Sequence, residues 1–168
     1  MKILRLLITK DCNRSCGGCC NKQWNLETLP IVKSFDGYDQ IILTGGEPLM
    51  DSKLLNTVYI LKGLFAVQAE IYVYTAHARN VNSILNHVDG VTLTLHEQKD
   101  LIEFRELNEF LLKRPAYHGL SLRLNVFREV KLPFDLDLNL WKVKRNIDWI
   151  EDCPLPTDEE FMRIETFI

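Results

Sequence analysis

Apolar and β-branched residues in this chain come in short runs separated by polar stretches. Five runs have the length of a strand: 3–9 (ILRLLIT), 40–44 (QIILT), 69–75 (AEIYVYT), 91–96 (VTLTLH) and 120–127 (LSLRLNVF). Between them the spacing changes. Leu54, Val58, Leu61 and Phe65, and later Leu101, Phe104, Leu107 and Leu111, recur every three or four residues, as on one face of a helix. A sixth run, 141–150 (WKVKRNIDWI), would place Trp141, Val143, Arg145, Ile147 and Trp149 on one side of a strand. The segment 157–167 (TDEEFMRIETF) reads as a terminal helix, with Thr157 as N-cap and Glu160 closing a capping box.

Alternating strands and helices predict an α/β fold with a parallel sheet and right-handed crossovers. The first two runs are almost continuously apolar, as strands covered on both faces should be. A complete eightfold barrel takes ~250 residues. The expectation is therefore a partial (β/α) barrel of about five to six mostly parallel strands. With 168 residues and no proline-, glycine- or serine-rich linker, the chain reads as a single domain, 1–168.

Composition narrows the partners. A net charge of −3 gives no overall attraction to nucleic acid or anionic membrane, although a local basic patch survives such an average. Trp141, Lys142, Lys144, Arg145 and Trp149 interleave aromatic and basic residues, but on a strand the tryptophans would pack inward and the lysines face solvent, so nucleic-acid binding is disfavoured. No run reaches the ~18 apolar residues of a membrane span and the N-terminus lacks a leader pattern, so the expectation is a soluble, cytoplasmic protein without membrane contact. In that compartment thiols stay reduced, and clustered cysteines are read as metal ligands or redox groups rather than disulfides.

Four of the five cysteines fall in 11–24 (DCNRSCGGCCNKQW), directly after the first strand, where parallel α/β folds place their chemistry. The spacing is Cys12-x3-Cys16-x2-Cys19, with Gly17-Gly18 allowing a tight bend and Cys20 as an extra thiol. Two readings stay open. Structural zinc needs four ligands, usually from two knuckles, and here a set of Cys12, Cys16, Cys19 and Cys153 would have to serve. Alternatively three thiolates hold an iron–sulfur cluster and leave one iron open, the hallmark of a reactive rather than a structural metal site.

A second motif, 44–49 (TGGEPL), follows the second strand. Alone it would be a turn. With the cysteine motif before it, the chain resembles the radical S-adenosylmethionine superfamily. The resemblance rests on residues 1–75. It implies a [4Fe–4S] cluster on Cys12, Cys16 and Cys19, with S-adenosylmethionine chelating the open iron and its amino group contacting Gly45, Gly46 and Glu47. It also implies reductive cleavage to a 5′-deoxyadenosyl radical, a one-electron donor such as flavodoxin or ferredoxin, and a partial barrel of the radical S-adenosylmethionine type. Many members carry an aromatic residue just before the third cysteine, near adenine, whereas Gly18 stands here. The stretch 17–24 (GGCCNKQW) is similar to the small activating proteins of anaerobic ribonucleotide reductase. The leading expectation is thus activation of a glycyl radical enzyme, with a stand-alone enzyme acting on a nucleotide, small metabolite or peptide as the alternative. A zinc-stabilised binding module is the reading from another class.

Thr75, His96 and Asn125 end the third, fourth and fifth runs, on the same rim as the cysteines if the strands are parallel, and are candidates for binding the nucleoside. His77, His87 and His118 are placed in loops or on helix surfaces. Asn13, Arg14 and Lys22 read as solvated charge and polarity around the cysteines, and Cys153-Pro154 as a structural cysteine before a turn.

Overall fold

A computed structural model describes residues 1–117, 119–133 and 135–165. Seven strands form one parallel sheet: β1 (Ile3–Thr9), β2 (Gln40–Gly45), β3 (Glu70–Thr75), β4 (Gly90–Leu95), β5 (Ser121–Phe127), β6 (Trp141–Ile147) and β7 (Glu159–Arg163). Their order is β6-β5-β4-β3-β2-β1-β7, an open sheet in which β1 to β6 step in one direction. Right-handed crossovers that all step the same way put their connections over one face. That face carries α1 (Leu54–Tyr59), extended by a π-helical turn at Ile60–Leu64, and α2 (Leu101–Leu112).

The alternation along each strand sorts the side chains. Leu4 and Leu6, Ile41 and Leu43, Ile71 and Val73, Val91, Leu93 and Leu95, and Leu122, Leu124 and Val126 join Leu54, Val58 and Leu61 of α1 and Leu101, Phe104, Leu107 and Leu111 of α2 in one core. Trp141 closes it at the β6 edge, where its indole N–H donates to the buried Asn108 Oδ1 at 2.8 Å. On the opposite face Ile3, Ile42 and Tyr72 make a small separate cluster, and Leu7, Leu29 and Phe161 another beneath Trp24 and Leu26. No helix of the described residues is long and apolar enough to cross a membrane.

Four expectations need correction. The segment expected as a terminal helix contains β7, parallel to β1, with Ile3 N donating to Asp158 O at 2.9 Å. The capping-box spacing is met in sequence, but the free edge of β1 offers a ladder, and Phe161 buries against Leu7 with Trp24 edge-on at 5.4 Å. Strand period won over helix period. The sheet therefore has seven strands, all parallel, rather than five to six. The sixth strand stops at Ile147: Asn146 adopts φ +55° and the ladder with β5 shifts there, so Trp149 leaves the alternation. Phe65, expected on the buried face of the first helix, follows the π turn and is 45% exposed against Phe35. His118 and residues 166–167 of the expected terminal helix lie outside the described residues.

Candidate cluster and cofactor site

The loop after β1 and the turn after β2 are joined by their backbones. Gly46 N donates to Thr9 O at 2.9 Å and Glu47 N to Asp11 O at 2.7 Å. A side chain at Gly46 is impossible in this arrangement, since a Cβ would sit 2.0 Å from Asp11 O, and one at Gly45 would sit 2.1 Å from Thr9 O. The two glycines thus let the cysteine loop lie directly on the β2 turn.

Arg14 fixes the loop from the other side. Its guanidinium grips both oxygens of Asp100 at 2.8 and 3.0 Å and also donates to Ala76 O at 2.9 Å. Asp100 is 7% exposed and additionally accepts from the backbone N–H groups of His96 and Glu97. These bonds outweigh burial, which alone would raise its pKa, and hold the carboxyl below the usual carboxylate range. The charge expected to be solvated at Arg14 is instead a half-buried clamp between the cysteine loop and the ends of β3 and β4. Lys22 also works locally, donating to Cys16 O at 2.7 Å.

Cys12, Cys16 and Cys19 are free thiols and line one cavity of about 200 Å³ together with Gly45, Gly46, Glu47, Thr75 and His96. Burial, and then the neighbouring Cys19 and Cys12, push the Cys16 thiol up against the pull of Arg14. Arg14 N approaches Cys12 Sγ at 3.4 Å. No three His, Cys, Asp or Glu side chains of the described residues form a single-ion binding group. A larger cavity, about 370 Å³, lies beyond the Arg14–Asp100 clamp and contains no cysteine.

The predicted rim residues have distinct surroundings. Glu47, 2% exposed, accepts from Thr75 Oγ1 at 2.6 Å, Leu49 N at 3.1 Å and Ala76 N at 2.8 Å, so its carboxylate ties the ends of β2 and β3 together. Thr75 Oγ1 in turn accepts from His77 N at 2.9 Å. His96 faces the cavity with a buried Nδ1 lacking any partner, and burial followed by the positive Arg14 lowers its pKa. Asn125 is not among the residues lining this cavity; it lies along the sheet, its amide 3.4 Å from Thr94 Oγ1. His77 precedes a short 3-10 stretch, Ala78–Ser83, and His87 stacks edge-on with Tyr59.

Sequence reasoning missed two features. Cys20 and Cys153 form a disulfide, with Cα atoms 5.5 Å apart. Neither is a spare thiol, the expectation of fully reduced cysteines is overturned, and Cys153 is not assembled with Cys12, Cys16 and Cys19 as a fourth ligand. The second is Trp149. It lines the cavity, stacks on His96 at 5.0 Å with planes 5° apart, and touches Phe127 at 4.5 Å. A Cβ at Gly18 would lie 2.4 Å from Trp149 Cγ. Position 18 therefore lacks a side chain of its own where one arrives from position 149. The only sequence signal for this pairing was the glycine where an aromatic was expected. Arg14, Cys20, Asn21, Tyr74, Ala76 and Thr94 complete the lining.

Comparison with protein-family models gives no match for this chain, and comparison with curated proteins gives none either.

Proposed function

We propose that the chain is a radical S-adenosylmethionine enzyme built on a partial (β/α) barrel. The observation that supports this most is the meeting of two motifs distant in sequence: the free thiols of Cys12, Cys16 and Cys19 and the backbone of Gly45-Gly46-Glu47 line one cavity. The donor set suits a [4Fe–4S] cluster, with three free thiols and a backbone amide close to one sulfur. Bound there, a cluster reduced by an external one-electron donor would supply the electron that cleaves S-adenosylmethionine to methionine and a 5′-deoxyadenosyl radical for hydrogen abstraction.

The protein's own part is orientation and shelter. Cys12, Cys16 and Cys19 hold the cluster, and Arg14, anchored on Asp100, keeps their loop in place. Backbone carbonyls of the Gly45–Gly46 turn accept from the methionine amino group, since the Glu47 carboxylate already serves three donors. His96 and Trp149 offer an aromatic wall to adenine, in place of the side chain absent at Gly18. Thr75 acts indirectly, by holding the Glu47 carboxylate that ends the Gly45–Gly46 turn.

Anaerobic reconstitution with iron and sulfide, followed by dithionite and S-adenosylmethionine, tests the reading. The expected result is about four irons and four sulfides per chain, following from the cluster type, and release of 5′-deoxyadenosine that Cys16→Ala abolishes. Protein that binds zinc, takes up no sulfide and cleaves nothing would leave the metal-stabilised binding module standing.

A further inference from the structure

The face of the sheet opposite the helices is polar from β3 to β6. One cross-strand row runs Tyr74, Thr92, Arg123, Lys142, and the next runs Thr94, Asn125, Lys144. Tyr74 and Thr94 are also walls of the cysteine cavity, so the rows lead directly into it. Arg123 lies over the Tyr72 ring at 4.4 Å, which presses against Gly90, where a Cβ would fall 2.2 Å from the ring.

Three features of these rows are unresolved within the protein. Arg123, Lys142 and Lys144 take part in none of the ion pairs found among the described residues. Thr92 is 3% exposed, and its Oγ1 has no hydrogen-bond partner; nor does Ser121 Oγ, one row away. The carboxylates of this face, Glu70 and Glu159, sit in the row at the N-terminal ends of the strands, and Glu159 is already paired with Arg5. The buried hydroxyl without a partner is costly to the fold alone, and beside it Arg123 on the Tyr72 ring and the exposed Lys142 and Lys144 leave a local excess of positive charge.

We propose that this polar face binds the phosphoryl group of a small organic phosphate and presents the rest of the molecule to the cysteine cavity. A phosphate dianion brings three acceptor oxygens and up to two charges, matching a guanidinium, two ammonium groups and a hydroxyl; a carboxylate brings two oxygens and one charge. Adjacent strands stand ~4.8 Å apart, so Arg123 and Lys142 can reach one tetrahedral group together. The inference rests on the radical S-adenosylmethionine reading for what happens next, but phosphate binding itself does not.

The test uses the full chain without metal or S-adenosylmethionine, with ribose 5-phosphate as probe and glutarate as the carboxylate control, followed by ³¹P NMR and calorimetry. Ribose 5-phosphate is expected to bind at least tenfold more tightly than glutarate. Arg123→Gln should weaken it at least tenfold. The double variant Lys142→Gln/Lys144→Gln, confined to an exposed edge strand, should do so as well, with an unchanged melting curve. Lys113→Ala, on the far side of the molecule at the end of α2, should have no effect. Equal binding of glutarate, or binding that survives the double variant, overturns the proposal. A wild-type protein that releases 5′-deoxyadenosine yet ignores ribose 5-phosphate sinks this inference alone. One that binds the phosphate but never yields 5′-deoxyadenosine supports this site and sinks the proposed reaction.

Discussion

The two faces of the sheet are made from the same strands and differ in almost everything else. Toward the helices, positions such as Leu4, Ile41, Val73, Leu93 and Leu124 are uniformly aliphatic and close to fully buried. Toward the other side β1 and β2 still carry the apolar Ile3, Leu7 and Ile42 beside Arg5, but from β3 to β5 the intervening positions are Tyr72, Tyr74, Thr92, Thr94, Arg123 and Asn125. Side-chain alternation at period two is what lets one strand serve both surfaces. The difference teaches that the fold is carried by one half of each strand's residues and the candidate chemistry by the other, so the two should respond differently to mutation.

The strongest break in the comparison is on the helix side. Phe104 is fully buried and packs edge-on against Trp141 at 5.4 Å. Phe104→Ala should cost about 3–5 kcal/mol, the usual range for a buried aromatic truncated to alanine. Denaturant titration checks this; a loss under ~1 kcal/mol would mean that the helix-side core closes over the gap.

Next in size is the clamp at the strand ends. Asp100→Asn leaves Arg14 without its counter-charge and should cost about 2–4 kcal/mol, somewhat less than breaking a fully buried pair. Because folding depresses the Asp100 pKa, its contribution is present in full above the ordinary carboxylate value and is lost as pH falls through the folded one. The gap between wild type and Asp100→Asn should therefore be constant from neutral pH down to about 5, and shrink as acid is added below the unfolded carboxylate pKa of about 3.9. A gap that stays constant into strong acid would show that Asp100 acts by packing alone.

How much of this was legible in the chain follows the same division. The five central strands and the buried faces of both helices were read almost to the residue, because uninterrupted apolar runs and three-to-four spacing have few competing explanations. β7 was misread because Thr157 to Glu160 satisfies a local helix signal, while the feature that decides it, the unpaired edge of β1, lies more than 150 residues away in sequence. The Cys12, Cys16, Cys19 and Gly45–Glu47 constellation was visible as spacing, but the occupation of Glu47 by Thr75, Leu49 and Ala76 depends on strand register. So does the row Thr92, Arg123, Lys142, of which only Lys142 stood out in its own segment. The Cys20–Cys153 link and the arrival of Trp149 over Gly18 join chain segments that no periodicity connects.

That last contact gives a prediction of intermediate size. Gly18→Ala puts a methyl group into the Trp149 ring, and overpacking of this kind should cost about 1–3 kcal/mol. Trp149→Ala in the same chain should relieve most of it, so a double-mutant cycle should show coupling of about 0.5–3 kcal/mol between positions 18 and 149. Additive effects would mean that the loop shifts freely and that Trp149 is not held there. Cys153→Ser, which cuts the strap from Cys20, should weaken this coupling, measured as a smaller gap between the two backgrounds.

The smallest expected change is the sharpest probe of the division between faces. Thr92 sits on the polar face, 3% exposed, with an unpartnered hydroxyl. Val has nearly the same shape and favours strands, so Thr92→Val removes a buried polar group at no cost in volume. Stability should stay level or rise by up to about 1 kcal/mol, the reverse of every helix-side truncation. Ribose 5-phosphate binding should nonetheless weaken, because a donor has gone from the proposed phosphoryl site. Chemical denaturation and phosphate titration on one preparation check both halves. A residue whose removal stabilises the fold while weakening a ligand is one retained for the ligand. If Thr92→Val instead destabilises the protein by more than ~1 kcal/mol, the hydroxyl has an internal partner, and the polar face belongs to the fold as much as the apolar one does.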